Sequence, residues 1–95
     1  MCIDNQLEKG DNMKSIFSEE YQIFIDFIKL KRIEKGLTQL DLANKLGVTQ
    51  SFISKCERSE RRLDLIETRK IANAIGIQFS ALILEIESAL SEAGK

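Results

Sequence analysis

Residues 38–58 read TQLDLANKLGVTQSFISKCER, and the chain's organisation follows from this stretch. Thr38 is a hydroxyl residue of the kind that caps helices, and Gln39 to Leu46 follows with apolar Leu42, Ala43 and Leu46 at helical spacing. Gly47 stands where a left-handed stop is wanted, because glycine alone takes that conformation without a Cβ penalty. Thr49 then caps a second short helix, Gln50 to Arg58, whose inward positions are Ile53 and Cys56.

Two short helices joined by a tight turn containing Gly make the supersecondary unit that lays its second helix in a DNA major groove. The helices must approach closely across the turn, which accounts for small Ala43 on the inner face, with Val48 filling the corner. A bulky residue at 43 would overpack the junction at a cost of about 1–3 kcal/mol.

Working outward, Ser18 followed by Glu19, Glu20 and Tyr21 predicts a helix start, and that helix runs to about Lys35 before Gly36. Phe24, Ile28 and the stem of Lys31 or Arg32 share one of its faces. A basic loop, Ser59 to Leu63, leads to Asp64, the cap of a fourth helix closed by Gly76; Ser80 is expected to cap a last helix reaching about Ala93. Residues 1–17 carry no sustained apolar period and read as a mobile tail, with Met13 an alternative to Met1 as translation start. The expected domain is therefore 18–93.

Ninety-five residues suffice for one domain and leave no room for a separate effector domain of ordinary size. With no His, and only Cys2 and Cys56 far apart, no zinc site is expected and His-based acid–base chemistry is excluded, and nothing marks a nucleophile–base pair, a phosphate loop or a cofactor motif. No run approaches the roughly 20 apolar residues of a membrane span, and no secretory signal precedes the domain, so the chain reads as cytoplasmic, with unpaired thiols. The net charge of −1 is unevenly distributed: residues 1–26 sum to −4, residues 27–84 to +5 and residues 85–95 to −2. The positive charge thus lies in the segment holding the two short helices, where it bears on an anionic partner.

Gly36-Leu37-Thr38-Gln39, Leu42-Ala43, Leu46-Gly47-Val48-Thr49-Gln50-Ser51, Ile53-Ser54-Lys55 and Glu57, in that order and spacing, resemble the phage repressor and Cro family, also called the Xre type, over about residues 24–84. The resemblance implies an all-α, five-helix, lambda-repressor-like DNA-binding domain. It further implies that the helix after Thr49 reads bases while the start of the preceding helix touches phosphate. Gln39 matches the family's phosphate-contacting Gln, and Gln50, Ser51 and Lys55 match its base-facing positions. Arg32 and Glu57 match a family ion pair between the first and third helices. Ser59 departs from the pattern, since the family usually has Gly there, and this puts the path of the Arg61-Arg62 loop in question.

Side-chain chemistry agrees with this assignment. Gln50 and Ser51 fall in the first turn of the recognition helix and Lys55 one turn on. Gln bonds adenine N6 and N7, Lys favours guanine O6 and N7, and Ser accepts either partner. Phe52 has two readings, contact with a thymine methyl or packing beside the second helix and loop. Gln39, Ser54, Arg58, Arg61 and Arg62 are the candidates for holding phosphate.

Ile23, Phe27 and Leu30 recur on a second side of the first helix, as do Leu82, Ile86 and Leu90 on the last. These stripes either pack on each other within one chain or form a homodimer interface; a dimer is expected, reading a palindrome with half-sites about 34 Å apart or a multiple of that. The function expected is sequence-specific transcriptional regulation on double-stranded DNA. A protein-interaction module that keeps the fold and lacks DNA binding is the alternative.

Overall fold

The first four helices each begin where a side-chain oxygen satisfies an otherwise orphaned backbone N–H. In a computed structural model that describes residues 18–93, Ser18 accepts from the Tyr21 N–H at 3.1 Å and opens α1 (Glu19–Glu34). Thr38 and Asp41 form a reciprocal capping box at the start of α2 (Gln39–Leu46), and Thr49 accepts from the Phe52 N–H at the start of α3 (Gln50–Glu57). Asp64 and Glu67 form a second capping box for α4 (Leu65–Ile75), and α5 (Phe79–Ala93) completes the domain. Among the described residues there is no strand, so the fold is all-α.

The α2–α3 turn closes as a left-handed cap: Gly47 has φ +73°, and the Val48 N–H donates to the Ala43 carbonyl at 3.0 Å. Ala43 is fully buried at the helix crossing. Around it the core gathers Ile28 from α1, Leu42 from α2, Ile53 from α3, Ile71, Ala72 and Ile75 from α4, and Leu82 and Ile86 from α5. Helix α2 packs on α3 and α4, while α1 packs on α5 and α3, so α3 is supported from behind.

The last helix departs from expectation in two ways. It begins at Phe79, with the Gln78 carbonyl accepting from the Leu82 N–H at 3.0 Å, so Ser80 lies inside the helix and does not cap it. Leu82 and Ile86, expected at a dimer interface, are core residues, 0% and 7% exposed. The chain reverses at Gly76 and lays α5 back over the interior, so the periodic stripe of α5 closes its own domain. Phe27 and Leu90 are half-buried against the same core, Ile23 is half-buried, and Leu30 alone of the six is exposed. The expectations about residues 1–17, including the tail, Cys2 and the choice between Met1 and Met13, lie outside the described residues.

One buried charge pair joins α1 to α3. Arg32 Nε and Nη2 donate to Glu57 Oε2 and Oε1 at 2.6 and 3.1 Å, and both side chains are under a tenth exposed. Arg32 Nη1 donates to the Leu37 carbonyl at 2.6 Å, and Gln39 Nε2 donates to Glu57 Oε1 at 3.0 Å. The pair thereby also fixes the α1–α2 link and the first residue of α2. The fork of the guanidinium matches a carboxylate in two-point fashion, which fixes orientation as well as distance.

Ser59 follows α3 with φ +63°, the one left-handed non-glycine among the described residues. Burial compensates in part: the side chain is 8% exposed, and its Oγ donates to Gln22 Oε1 of α1 at 3.2 Å.

Two stability predictions follow from these contacts. Glu57→Ala should lower the unfolding free energy by about 3–5 kcal/mol by stranding the Arg32 charge, whereas Arg32→Met combined with Glu57→Leu should cost less than Glu57→Ala alone; urea unfolding of the two variants checks this. At position 59, Ser59→Ala keeps the left-handed strain and loses the bond to Gln22, a loss of about 1 kcal/mol. Ser59→Gly removes the strain with the bond and should stay within about 0.5 kcal/mol of the parent; the order Gly above Ala in the same assay is the diagnostic.

Candidate nucleic-acid interface

The two-turn helix α3 divides cleanly by face. Ile53 and Cys56 are 1% and 2% exposed against the core, whereas Gln50, Ser51 and Lys55 are exposed. The Thr49 cap sets the direction in which this first turn projects. Burial pushes the Cys56 thiol up from its ordinary range, so it serves as a protonated apolar filler beneath the exposed face.

Next to that face lies the start of α2. Its side-chain caps occupy the Thr38 and Asp41 N–H groups, while the first-turn N–H groups of Gln39 and Leu40 have no carbonyl behind them within the helix. The Thr38 backbone and hydroxyl hold the Asp41 carboxyl below its usual value, which keeps the box ionised. The Gln39 side chain, expected to meet phosphate, is half-buried and spends one N–H on Glu57. That bond ties its orientation to the buried charge pair.

Beyond the C-terminal end of α3 the basic residues take three different arrangements. Arg58 pairs with exposed Glu60 at 3.0 Å and donates through Nη1 to Ser54 Oγ. Arg61 lies over the Phe52 ring, 4.5 Å from its centroid, and grips Glu67 with two bonds of 3.0 and 2.8 Å. Arg62 lies over the Tyr21 ring at 4.3 Å, and the Tyr21 hydroxyl accepts from the Leu63 N–H at 3.0 Å. These stacks use both the charge and the flat guanidinium face. Hydrogen bonding holds the Glu60 and Glu67 carboxyls below the usual range, the first bound to Arg58, the second to Arg61 and to the Asp64 backbone.

Phe52 packs against the core, as the second of its two readings has it. Helix periodicity places it between the exposed Ser51 and Lys55 and the buried Cys56, with its ring half-buried against the core. It lines a half-open cleft of about 190 Å³ together with Leu46, Val48, Glu67, Lys70 and Ile71. Glu67 and Gln22, which organise the basic loop and the Ser59 turn, were not singled out from the sequence. The Asp64…Glu67 spacing was a capping signal that could have marked the first, whereas nothing local marks a partner of Ser59 that lies 37 residues away.

Among the described residues no single helix is long and apolar enough to cross a membrane, and no group of three or more His, Cys, Asp or Glu could hold a metal ion.

The arrangement has close counterparts. The Helix-turn-helix family profile matches residues 28–82, from within α1 to the first turn of α5. An immunity repressor protein of Bacillus phage phi105 is 38% identical over 58 residues, which cover 61% of this chain and 40% of the repressor. An uncharacterised HTH-type transcriptional regulator of Sinorhizobium fredii is 34% identical over 58 residues, 74% of its length. Among solved structures, an XRE-family like protein from Pseudomonas syringae superposes with a TM-score of 0.72 at 40% identity, covering 82% of this chain and 95% of that one. The restriction-modification controller protein C.Esp1396I, solved as a tetramer in complex with its natural 35 base-pair operator, gives a TM-score of 0.70 at 27% identity over 77% of this chain and 96% of that one. The chain belongs to the helix-turn-helix family of phage-repressor, or Xre, type, a family of transcriptional regulators.

Proposed function

We propose that this protein is a sequence-specific regulator of transcription that inserts α3 into the major groove of double-stranded DNA and works as a homodimer on a palindromic operator. The observation that carries the reading is the polar first turn of α3: Gln50, Ser51 and Lys55 stand exposed on a helix whose opposite face is buried. A helix so mounted, at the tip of a tight turn beside the N-terminus of a neighbouring helix, offers base-reading groups and backbone-holding groups on one side. C.Esp1396I, which shares this fold, was solved on its operator.

In this reading Gln50, Ser51 and Lys55 meet base edges. Gln39, Ser54, Arg58 and Arg62 hold phosphates around them. The Arg58–Glu60 pair is exposed on both sides and screened by solvent, so opening it to admit a phosphate oxygen costs little.

Dimerisation follows from the small number of phosphate contacts one such module can make. With Leu82 and Ile86 committed to the core, the surface proposed for the partner copy is the exposed apolar part of α1 and α5. Leu30 and Leu84, 47% and 71% exposed, flank the Lys31–Glu85 bridge that joins these helices at 2.8 Å. Sedimentation should give a dimer at tens of micromolar; a monomer that binds an isolated half-site would remove this part of the proposal.

Selection from a random pool of duplexes is the test of the function itself, and it should enrich a two-fold symmetric site. On that site Gln50→Ala should weaken binding by about 1–3 kcal/mol and relax preference at one or two base pairs. Arg58→Ala should weaken all sequences alike and lower the slope of log affinity against log salt by about 0.9. A pool that enriches nothing, or a Gln50→Ala protein with unchanged base preferences, would refute the reading.

A further inference from the structure

The recognition helix has only eight residues, and its rotation about its own axis decides where Gln50, Ser51 and Lys55 point. Ile53 and Cys56 anchor its inner face, and Glu57 anchors its C-terminal end. Its flank on the side of α4 is different. There Phe52 borders the open cleft, with Leu46, Val48 and Ile71 around a space that no side chain fills. Packing alone leaves that ring room to shift, because a void supplies no contacts on one side.

Arg61 lies outside the lining of that cleft and holds the ring directly. Its guanidinium lies on the Phe52 ring and is held in plane by the two-point bond to Glu67, while Nη1 also donates to the Arg62 carbonyl at 2.9 Å. Glu67 is fixed in turn, since its Oε1 accepts from the Asp64 N–H at 3.0 Å within the capping box of α4. The loop is pinned to α3 from the other direction, with the Glu60 and Arg61 N–H groups donating to the Lys55 carbonyl at 2.8 and 3.3 Å. The order Phe52, Arg61, Glu67, α4 forms an unbroken physical link from the recognition helix to a core helix.

We infer that Arg61 and Glu67 are positioning residues: together they clamp Phe52 and set the rotation of α3, so that Arg61 acts on DNA binding through the recognition helix and not as a phosphate ligand. The inference rests on the proposed DNA-binding function and assigns Glu67, a carboxylate beside an anionic partner, a favourable part in it. The two roles for Arg61 predict opposite signs for the loss of Glu67. If Arg61 held phosphate, removing the competing carboxylate would release it and tighten binding. If Arg61 is a clamp, removing its anchor loosens α3 and weakens binding.

The experiment uses the full chain and its selected duplex, with Glu67→Gln, Arg61→Lys, Arg61→Ala and the double variant Arg61→Ala with Glu67→Gln, each assayed across a salt series. Glu67→Gln keeps an acceptor for the Asp64 N–H, so the cap of α4 survives, and Arg61→Lys keeps the charge while losing the planar fork. The clamp predicts that Glu67→Gln weakens binding severalfold, that Arg61→Lys behaves like Arg61→Ala, that the double variant is no weaker than Arg61→Ala, and that the salt slope is unchanged throughout. Tighter binding by Glu67→Gln, or a slope about 0.9 smaller in Arg61→Ala and restored in Arg61→Lys, would overturn it. Amide hydrogen exchange on the free proteins separates this from the DNA-binding reading: the clamp predicts severalfold faster exchange in α3 with α1 unchanged, and unaltered α3 exchange rates would overturn it whatever the DNA assays give. Failure of the unaltered chain to bind any duplex would instead remove the functional proposal on which it rests.

Discussion

The buried pair of Arg32 and Glu57 is the constraint on which the rest of the architecture depends. It is the contact that fastens α3 to α1 by direction as well as by burial. Its spare hydrogen-bonding capacity is spent on the Leu37 carbonyl and the Gln39 amide, so the α1–α2 link and the start of α2 are set by the same two side chains. Two charges out of water are costly, and apolar residues of similar volume would often be at least as stabilising. What the pair supplies is geometry: the end of α3 and the beginning of α2 are held in register, and these bound the face on which DNA recognition is proposed.

The same economy appears in the α2–α3 unit. Ala43 lets the helices approach, Gly47 reverses the chain, and the two-turn length of α3 keeps Ile53 and Cys56 inside while Gln50, Ser51 and Lys55 remain outside. A short helix is cheap to project but weak in isolation, because its stability comes from packing and caps more than from its own hydrogen bonds. That is why so much of the surrounding structure contacts it: Glu57 at its end, the Lys55 carbonyl gripped by the following loop, and the stacked Arg61 at its flank.

Much of this could be read from residue order. Caps at Ser18, Thr38, Thr49 and Asp64 and the stops at Gly47 and Gly76 are local signals, and local signals place helices well. The α5 stripe is not decided by periodicity, which reports that a face is apolar and is silent about what covers it; Leu82 and Ile86 face the interior of their own chain, and only the path after Gly76 decides that. Phe52 was ambiguous for a related reason, lying at the border between the buried and exposed sectors of α3. The partners of Arg61, Ser59 and Gln39 were not legible, since each bond closes across a loop or between helices. Ser59 shows how a departure from a family pattern is absorbed: the left-handed turn is kept, and a hydroxyl bond to Gln22 offsets part of its cost.

One outward face, made by the first turn of α3 and the start of α2, is the surface proposed to meet DNA. Backbone amide shifts of the nitrogen-15 labelled protein, followed as a selected duplex is added, report that face directly. The account predicts the largest changes at Gln39 and from Gln50 to Lys55, with the outer surface of α5 little altered. Changes concentrated on α5 and absent from Gln50, Ser51 and Lys55 would contradict it.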